Sequence, residues 1–346
     1  MRGSTIFQRL ITFQKCSLSV ETNSEIIVNY LDLEYGDYQS SPTRDVIGRF
    51  SALESEDFDS LIFPAEAHLV WQRPDGCVTY KDGLYYGLYH HGLVKGIYNT
   101  QTNEVTNLIR DPSQYFNICV GVIDYLFSKA LLKDGIFRVH AACVAKGTSG
   151  YLICGAKSSG KTTLLMRLLR DGYDFIADDA TYIEFKGRRL ICHPFPKTIK
   201  INLEDLNKFF LLYKDLMYSP ILTSDGTRKA IIKLRDNNFS VMDQRLPITQ
   251  ILIPSIGGNS RTSSQPIKLR ETKTGYCISV SVKKHFNREL LIPSFRGADL
   301  LSIDYITNQE LIKQQETLCE NTLQNYHIKI LQLGTDLENI HFEDVF

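Results

Sequence analysis

One run of eight residues constrains this chain more than any other feature. Gly155-Ala156-Lys157-Ser158-Ser159-Gly160-Lys161-Thr162 fits the pattern G-x-x-x-x-G-K-[ST]. Tyr151 to Cys154, just before it, is an apolar run of strand length. Leu164, Leu165, Leu168 and Leu169, just after it, recur at helical spacing until Asp171-Gly172. Phe175-Ile176-Ala177 reads as the next strand. Strand, glycine-rich turn, helix and strand make a βαβ-type unit, so the expected class is α/β, a mixed twisted sheet with helices packed on it.

Each residue type in the run has a chemical reason. Gly155 and Gly160 let the backbone curl so that its N–H groups point inward, and the following helix adds its partial positive end to the same spot. Lys161 supplies a full charge for the β- and γ-phosphates of a nucleotide. The Thr162 hydroxyl suits Mg²⁺, which takes oxygen ligands and keeps several waters. Gly155, Ala156, Lys157, Ser158, Ser159, Gly160, Lys161, Thr162 and Thr163 are therefore the expected nucleotide-binding residues, with ATP and Mg²⁺ as the expected cofactors.

Asp178 and Asp179 follow Phe175-Ile176-Ala177 directly, so that strand should deliver them to the edge of the sheet that carries the phosphate loop, where open α/β sheets bind ligands. Successive strand residues face opposite ways, and the two carboxylates converge only if the chain has already left the strand there. One carboxylate can hold Mg²⁺ while the other accepts the proton of an acceptor hydroxyl, the two tasks phosphoryl transfer needs beyond gripping phosphate. A like-charged neighbour and partial burial raise the basicity of an aspartate. His140, after Arg138-Val139 near the start of the preceding strand, can lie beside the pair and orient one of its members.

The rest of the chain sets bounds. With 346 residues and 43% hydrophobic content, it can build one large domain with an appendage or two modest ones. Lysine plus arginine total 39 and aspartate plus glutamate total 39, so no net field draws it to nucleic acid or an anionic membrane. The eight cysteines include no C-x-x-C pair, as expected for reduced thiols in the cytoplasm. His90 and His91 are read as a surface pair rather than metal ligands. The most apolar stretch, Tyr115 to Leu132, carries Asn117, Asp124 and Lys129 and reads as an amphipathic helix rather than a membrane span. The N-terminus lacks the uninterrupted apolar core of a secretion signal.

Residues 1–111 read as short β-type runs between turns, such as Ala67 to Trp71 and Cys77 to Tyr80 around Pro74-Asp75-Gly76. A second domain, 112–346, opens with a helix from Phe116 to Leu131. It continues through expected strands at Val139 to Ala145, Ala230 to Leu234, Ile248 to Ile253 and Cys277 to Val282, with a polar loop at Gly257 to Gln265. Thr307-x-x-Glu310 signals a helix through Leu323, and Ile328, Ile330 and Leu333 alternate like a terminal strand.

An ordered set of motifs resembles the HPr kinase/phosphorylase family of protein serine kinases and their relatives with the phosphoenolpyruvate-carboxykinase-like nucleotide fold. The set is Val139-His140-Ala141-Ala142, the loop Gly155 to Thr162, and Arg170-Asp171-Gly172-Tyr173-Asp174-Phe175-Ile176-Ala177-Asp178-Asp179, with the acidic pair unusually soon after the loop. The specific motifs cover Arg138 to about Ile201. The resemblance implies that His140 assists acid/base chemistry, Lys161 contacts phosphate, Thr162 and Asp178 are metal-associated, and Asp179 accepts the proton. The arginine-glycine-rich signature with a metal-binding glutamate that HPr kinases carry is absent. His193-Pro194-Phe195-Pro196-Lys197 stands in that region and is more similar to related enzymes of peptide-maturation clusters, including kinases of the C-terminal serine of lasso-peptide precursors. Lys197, Lys200 and Arg228 are candidates for clamping phosphate or a peptide carboxylate. Glu204 is a possible further metal ligand but reads more readily as part of an exposed helix start.

The resulting expectation is an ATP- and Mg²⁺-dependent kinase acting on a serine hydroxyl of a peptide, with the N-terminal module aiding peptide recognition. The rivals are a kinase of a small-molecule hydroxyl or of an HPr-like protein serine, and, from another class, a nucleotide-dependent regulatory protein. Neither nucleic acid nor membrane is an expected partner, and homo-oligomerisation stays open.

Overall fold

The fold is given by a computed structural model that describes residues 5–39, 45–55, 58–60, 62–73, 76–89, 92–132, 134–155, 158–187, 189–195, 198–206, 216–223, 226–256, 261–267 and 326–334. It is mixed α/β, with two large mixed sheets and few helices. The described residues form two compact units, one reaching Asp134 and including Ile221–Lys229, the other holding the remainder from Gly135 onward.

The first unit is built on an eight-stranded sheet in the order β1-β2-β3-β8-β7-β6-β5-β4. Its strands are Phe7–Phe13 (β1), Cys16–Thr22 (β2), Asp45–Glu54 (β3), His68–Arg73 (β4), Gly76–Lys81 (β5), Leu84–Tyr89 (β6), Val94–Asn99 (β7) and Glu104–Ile109 (β8). The β4–β5 hairpin falls where the sequence places its turn. Two helices belong to this unit, Glu25–Tyr35 (α1) and Phe116–Leu132 (α2). The boundary expected at residue 112 therefore moves to Gly135. Phe116, Ile123, Leu126 and Phe127 are fully buried, and α2 packs on β2 and β3 as well as on α1, so its apolar face belongs to the first core. The reading of residues 1–111 as β runs alone omits α1, which buries Ile27, Leu31, Glu34 and Tyr35.

The second unit carries the loop. Its strands are Ile136–Val139 (β9), Ala142–Lys146 (β10), Ser149–Ile153 (β11), Asp174–Ala177 (β12), Thr181–Lys186 (β13), Arg189–His193 (β14) and Ile199–Asn202 (β15). Ser219–Leu222 (β16), Arg228–Ile232 (β17), Leu246–Ile256 (β18), Ser263–Ile267 (β19) and His327–Leu333 (β20) follow in the chain. The main sheet runs β12-β10-β11-β18-β14-β13-β9, with β20 beside β18 and β19 beyond it.

Both β11 and β12 pair antiparallel with β10, through Cys143↔Leu152 and Cys143↔Ala177. They are therefore parallel to each other with one strand between them. β18 is parallel to β11, and β20 to β18. The C-terminal ends of β11, β12, β18 and β20 accordingly share one edge.

The helix Lys161–Arg170 (α3) links β11 to β12. It buries Leu164, Leu165, Met166, Leu168 and Leu169 in a core with Val144, Phe175, Leu252, Leu331 and Leu333, joined by Ile199, Ile201, Ala230 and Ile232. Gly172, at φ 78, ends it: the Gly172 and Tyr173 N–H groups return to the Leu169 and Leu168 carbonyls at 3.1 Å, a glycine-terminated C-cap. Arg167, 3% exposed, pairs with Asp171 one turn on.

Two expectations change. Val139 to Ala145 is not one strand. The Ala141 N–H donates to the Val139 carbonyl at 3.0 Å, a tight turn that sends β9 to pair with β13 and β10 to pair with β11 and β12. Gly257 to Gln265 is not all loop, because Ser263–Ile267 pairs antiparallel with β20. The expected strand at Cys277 to Val282, the helix from Thr307 to Leu323, and His90 and His91 lie outside the described residues. Among the described residues, no helix is long and apolar enough to cross a membrane.

Candidate functional site

The loop begins where β11 stops. The Cys154 N–H still donates to the Leu252 carbonyl at 2.9 Å, so the chain leaves the sheet at Gly155. A Cβ at Gly155 would fall 2.5 Å from Ser159 Oγ, inside van der Waals contact, so only glycine lets the loop close this tightly. Ser158 takes φ 64 and Gly160 φ 98, and these left-handed positions turn the chain into the first turn of α3. The Lys161 ammonium donates to the Gly155 carbonyl at 2.9 Å, folding the lysine back over the loop. Thr162 and Thr163 are half-buried in that first turn. Ala156 and Lys157 lie outside the described residues.

Ser159 Oγ is buried with no hydrogen-bond partner. An unsatisfied buried hydroxyl costs about 1–3 kcal/mol, and this one lies between β11 and the start of α3, 2.5 Å from where a Cβ of Gly155 would stand, close to the helix end that favours an anion. A phosphate oxygen would satisfy it. The residues present thus fit a phosphate group.

The acidic pair stands at the same edge, just beyond β12. Asp179 takes φ 62, a conformation that aspartate tolerates better than most residues, and the Ala180 N–H closes a tight turn onto the Asp178 carbonyl at 2.7 Å. The strand has therefore become a turn at this point, which removes the alternation that would have sent the two carboxylates to opposite faces. The Thr181 hydroxyl donates to the Ala141 carbonyl at 2.7 Å, tying this turn to the break between β9 and β10. His140 lies on that break and not within a strand as the sequence suggested. Its Nδ1 is 2.9 Å from Asp179 Oδ1, so the expected partnership with the acidic pair holds through a different local structure.

The two carboxylates differ electrically. Asp178 is 7% exposed. Burial, and next the charge of Asp179, push its carboxyl from 3.8 to about 6 against the pull of Lys200, His140 and Lys161. For Asp179 burial also raises the pKa, but its hydrogen bond to His140, the imidazole's charge, Lys200 and Arg138 prevail and hold it well below the ordinary value. The Asp179 side chain is half exposed, at 52%, so water shares the work of keeping it charged. Of the two, Asp178 is the carboxyl that its surroundings make more basic, because burial is deeper there and the imidazole bonds to Asp179.

The loop lysine and the acidic pair thus share one electrostatic environment, with Lys200 acting on both carboxylates. Among the other candidates, Arg228 is exposed at the first position of β17, and Glu204 is exposed in the single 3-10 turn Leu203–Asp205. Lys197 lies outside the described residues. Arg138, which acts on Asp179, was not singled out from the sequence. It lies in β9, two residues before the break that carries His140, and no local signal in the sequence marks it.

Among the described residues, no group of three or more His, Cys, Asp and Glu side chains could hold a metal by itself. A Mg²⁺ ion would not need one. Thr162 and one carboxylate of the pair could supply protein oxygens, with the remaining ligands drawn from phosphate and water. No protein-family model matches the chain, and no curated protein matches it significantly.

Proposed function

We propose that this protein is an ATP- and Mg²⁺-dependent kinase with a phosphate-binding loop of the HPr kinase-like type, and that its acceptor is a serine hydroxyl of a peptide. The observation that supports the reading is that the turn from β11 into α3, with Lys161 folded onto the Gly155 carbonyl, and a pair of carboxylates of unlike basicity stand at one sheet edge. Phosphoryl transfer asks for little covalent participation by the protein and much positioning and charge. The loop and Lys161 hold the β- and γ-phosphates, and Mg²⁺ supplies further positive charge there when bound.

The family resemblance assigns the proton to Asp179 and the metal to Asp178. The burial of Asp178 and the exposure of Asp179 beside His140 favour the reverse division. A carboxyl near 6 sits closer to the ideal for a general base at neutral pH than an ordinary aspartate does, which suits Asp178. A carboxylate held ionised and half exposed suits a cation, which favours Asp179, with His140 positioning it. The acceptor oxygen forms a bond to the γ-phosphorus, the bond from that phosphorus to the β–γ bridging oxygen breaks, ADP leaves, and the hydroxyl proton passes to Asp178.

The peptide acceptor, with the C-terminal serine of a lasso-type precursor as the specific expectation, rests on the resemblance of His193-Pro194-Phe195-Pro196-Lys197 to peptide-tailoring kinases. The test is incubation of the full chain with Mg²⁺, ATP and three acceptor sets: peptides ending in serine, an HPr-like protein, and small hydroxylated metabolites. A phosphate mass increment on the peptide alone supports the reading. Label on a small molecule or on the HPr-like protein reassigns the acceptor. ADP and free phosphate with no phosphorylated product favours a nucleotide-driven regulatory role.

A further inference from the structure

The strand β18 runs on past its pairing with β11. Ile153 pairs with Leu252, and Pro254, Ser255 and Ile256 continue beside the loop: the Pro254 carbonyl lies 3.8 Å from where a Cβ of Gly155 would stand. At Gly160 a Cβ would come within 3.0 Å of both Ile256 Cγ1 and Leu333 Cδ1. The isoleucine therefore lies against the loop backbone where α3 begins. Leu333 is 4% exposed and belongs to the core, whereas Ile256 is 62% exposed. Along β18, past the bulge that shifts its register on β11, Leu252 and Pro254 on the same side as Ile256 are both buried. Ile256 is the large apolar side chain of that row left in water, and it stands against Gly160, where the loop enters α3.

We propose that Ile256 is the shelf on which the base of the bound nucleotide rests. The inference depends on the phosphate reading of the loop and names what lies beyond the phosphates. A base is tethered to its phosphates by a single ribose, so it must land close to the loop. A flat aromatic heterocycle laid on an exposed aliphatic side chain removes apolar surface from water on both partners. Such a contact has no directional hydrogen bonds, so the shelf favours a base over bare phosphate without choosing strongly between purines.

The experiment compares Mg·ATP with inorganic Mg·tripolyphosphate, titrated calorimetrically into the full chain and into its Ile256→Ala and Ile256→Leu variants. The wild type should bind both ligands, ATP more tightly. Ile256→Ala should weaken ATP by about five- to tenfold, as expected for losing most of one buried aliphatic contact, and leave tripolyphosphate within about twofold. Ile256→Leu, which keeps the apolar surface, should bind ATP nearly as the wild type does. An equal loss for both ligands in Ile256→Ala, or no loss for ATP, overturns the shelf while leaving the phosphate loop standing. A wild type that binds neither ligand overturns the phosphate reading itself, and the shelf with it.

Discussion

Replacing Asp178 by asparagine should make the protein more stable at neutral and alkaline pH. The folded state holds this carboxyl at about 6, against 3.8 for the unperturbed group. Between those values the folded chain keeps a proton that the unfolded chain releases, so stability falls as pH rises through the window. Each pH unit of displacement is about 1.4 kcal/mol, which makes the cost of the buried carboxylate above pH 6 about 3 kcal/mol. Asparagine fills nearly the same volume without the charge, and the turn at this site is closed through the backbone carbonyl of residue 178, which the substitution retains. For a unit of this size, 3 kcal/mol is a rise in melting temperature of about 6–12 °C. The assay is thermal unfolding of both proteins from pH 4 to pH 8. The difference should be small at the acid end and grow to its full value by pH 7. A variant no more stable than wild type at pH 8, or an advantage independent of pH, would refute the claim that burial and Asp179 raise this carboxyl.

Three other outcomes follow from the same geometry. Asp179→Asn removes the like charge but not the burial, so the midpoint of Asp178, read by carboxyl-carbon NMR, should fall below 6 yet stay above 3.8; an unmoved midpoint would separate the two side chains electrically. Gly160→Ala places a Cβ at φ 98 and 3.0 Å from Ile256 and Leu333, and should cost about 1–3 kcal/mol in denaturant unfolding; a neutral result would mean that the loop relaxes freely. Arg167→Ala breaks a pair in which the arginine is 3% exposed and leaves Asp171 without it, for an expected loss of about 2–4 kcal/mol, measured in the same way.

The parts of the site that are local in the chain are legible in the sequence. Glycines, lysine and threonine at fixed offsets, flanked by a strand and a leucine-spaced helix, specify the turn from Gly155 into α3, and the short step to Asp178 and Asp179 follows the same unit. What depends on distant neighbours is not legible there. The break at His140 arises because β9 and β10 serve different partners, and nothing in Val139-His140-Ala141-Ala142 marks that division. The α1 helix is hidden because Glu34 is one of its buried positions and interrupts the apolar period of Ile27, Leu31 and Tyr35. Which aspartate becomes the more basic depends on burial, on the His140 bond, and on charges from Lys200 and Arg138, none of which the dipeptide reveals. Ile256 lies beyond the strand expected over Ile248 to Ile253, and its exposure follows from its place past the end of β11, which no local signal marks.

In the proposed mechanism, loop and carboxylates grip one triphosphate together. Calorimetric titration with a non-hydrolysable ATP analogue, with and without Mg²⁺, tests it on the wild type, Lys161→Ala and Asp179→Asn. The wild type should bind, and bind more tightly with Mg²⁺; Lys161→Ala should lose most of its affinity in either condition; Asp179→Asn should keep metal-free binding and lose the gain from Mg²⁺. A wild type indifferent to the analogue, or an Asp179→Asn variant with the full magnesium gain, would contradict it.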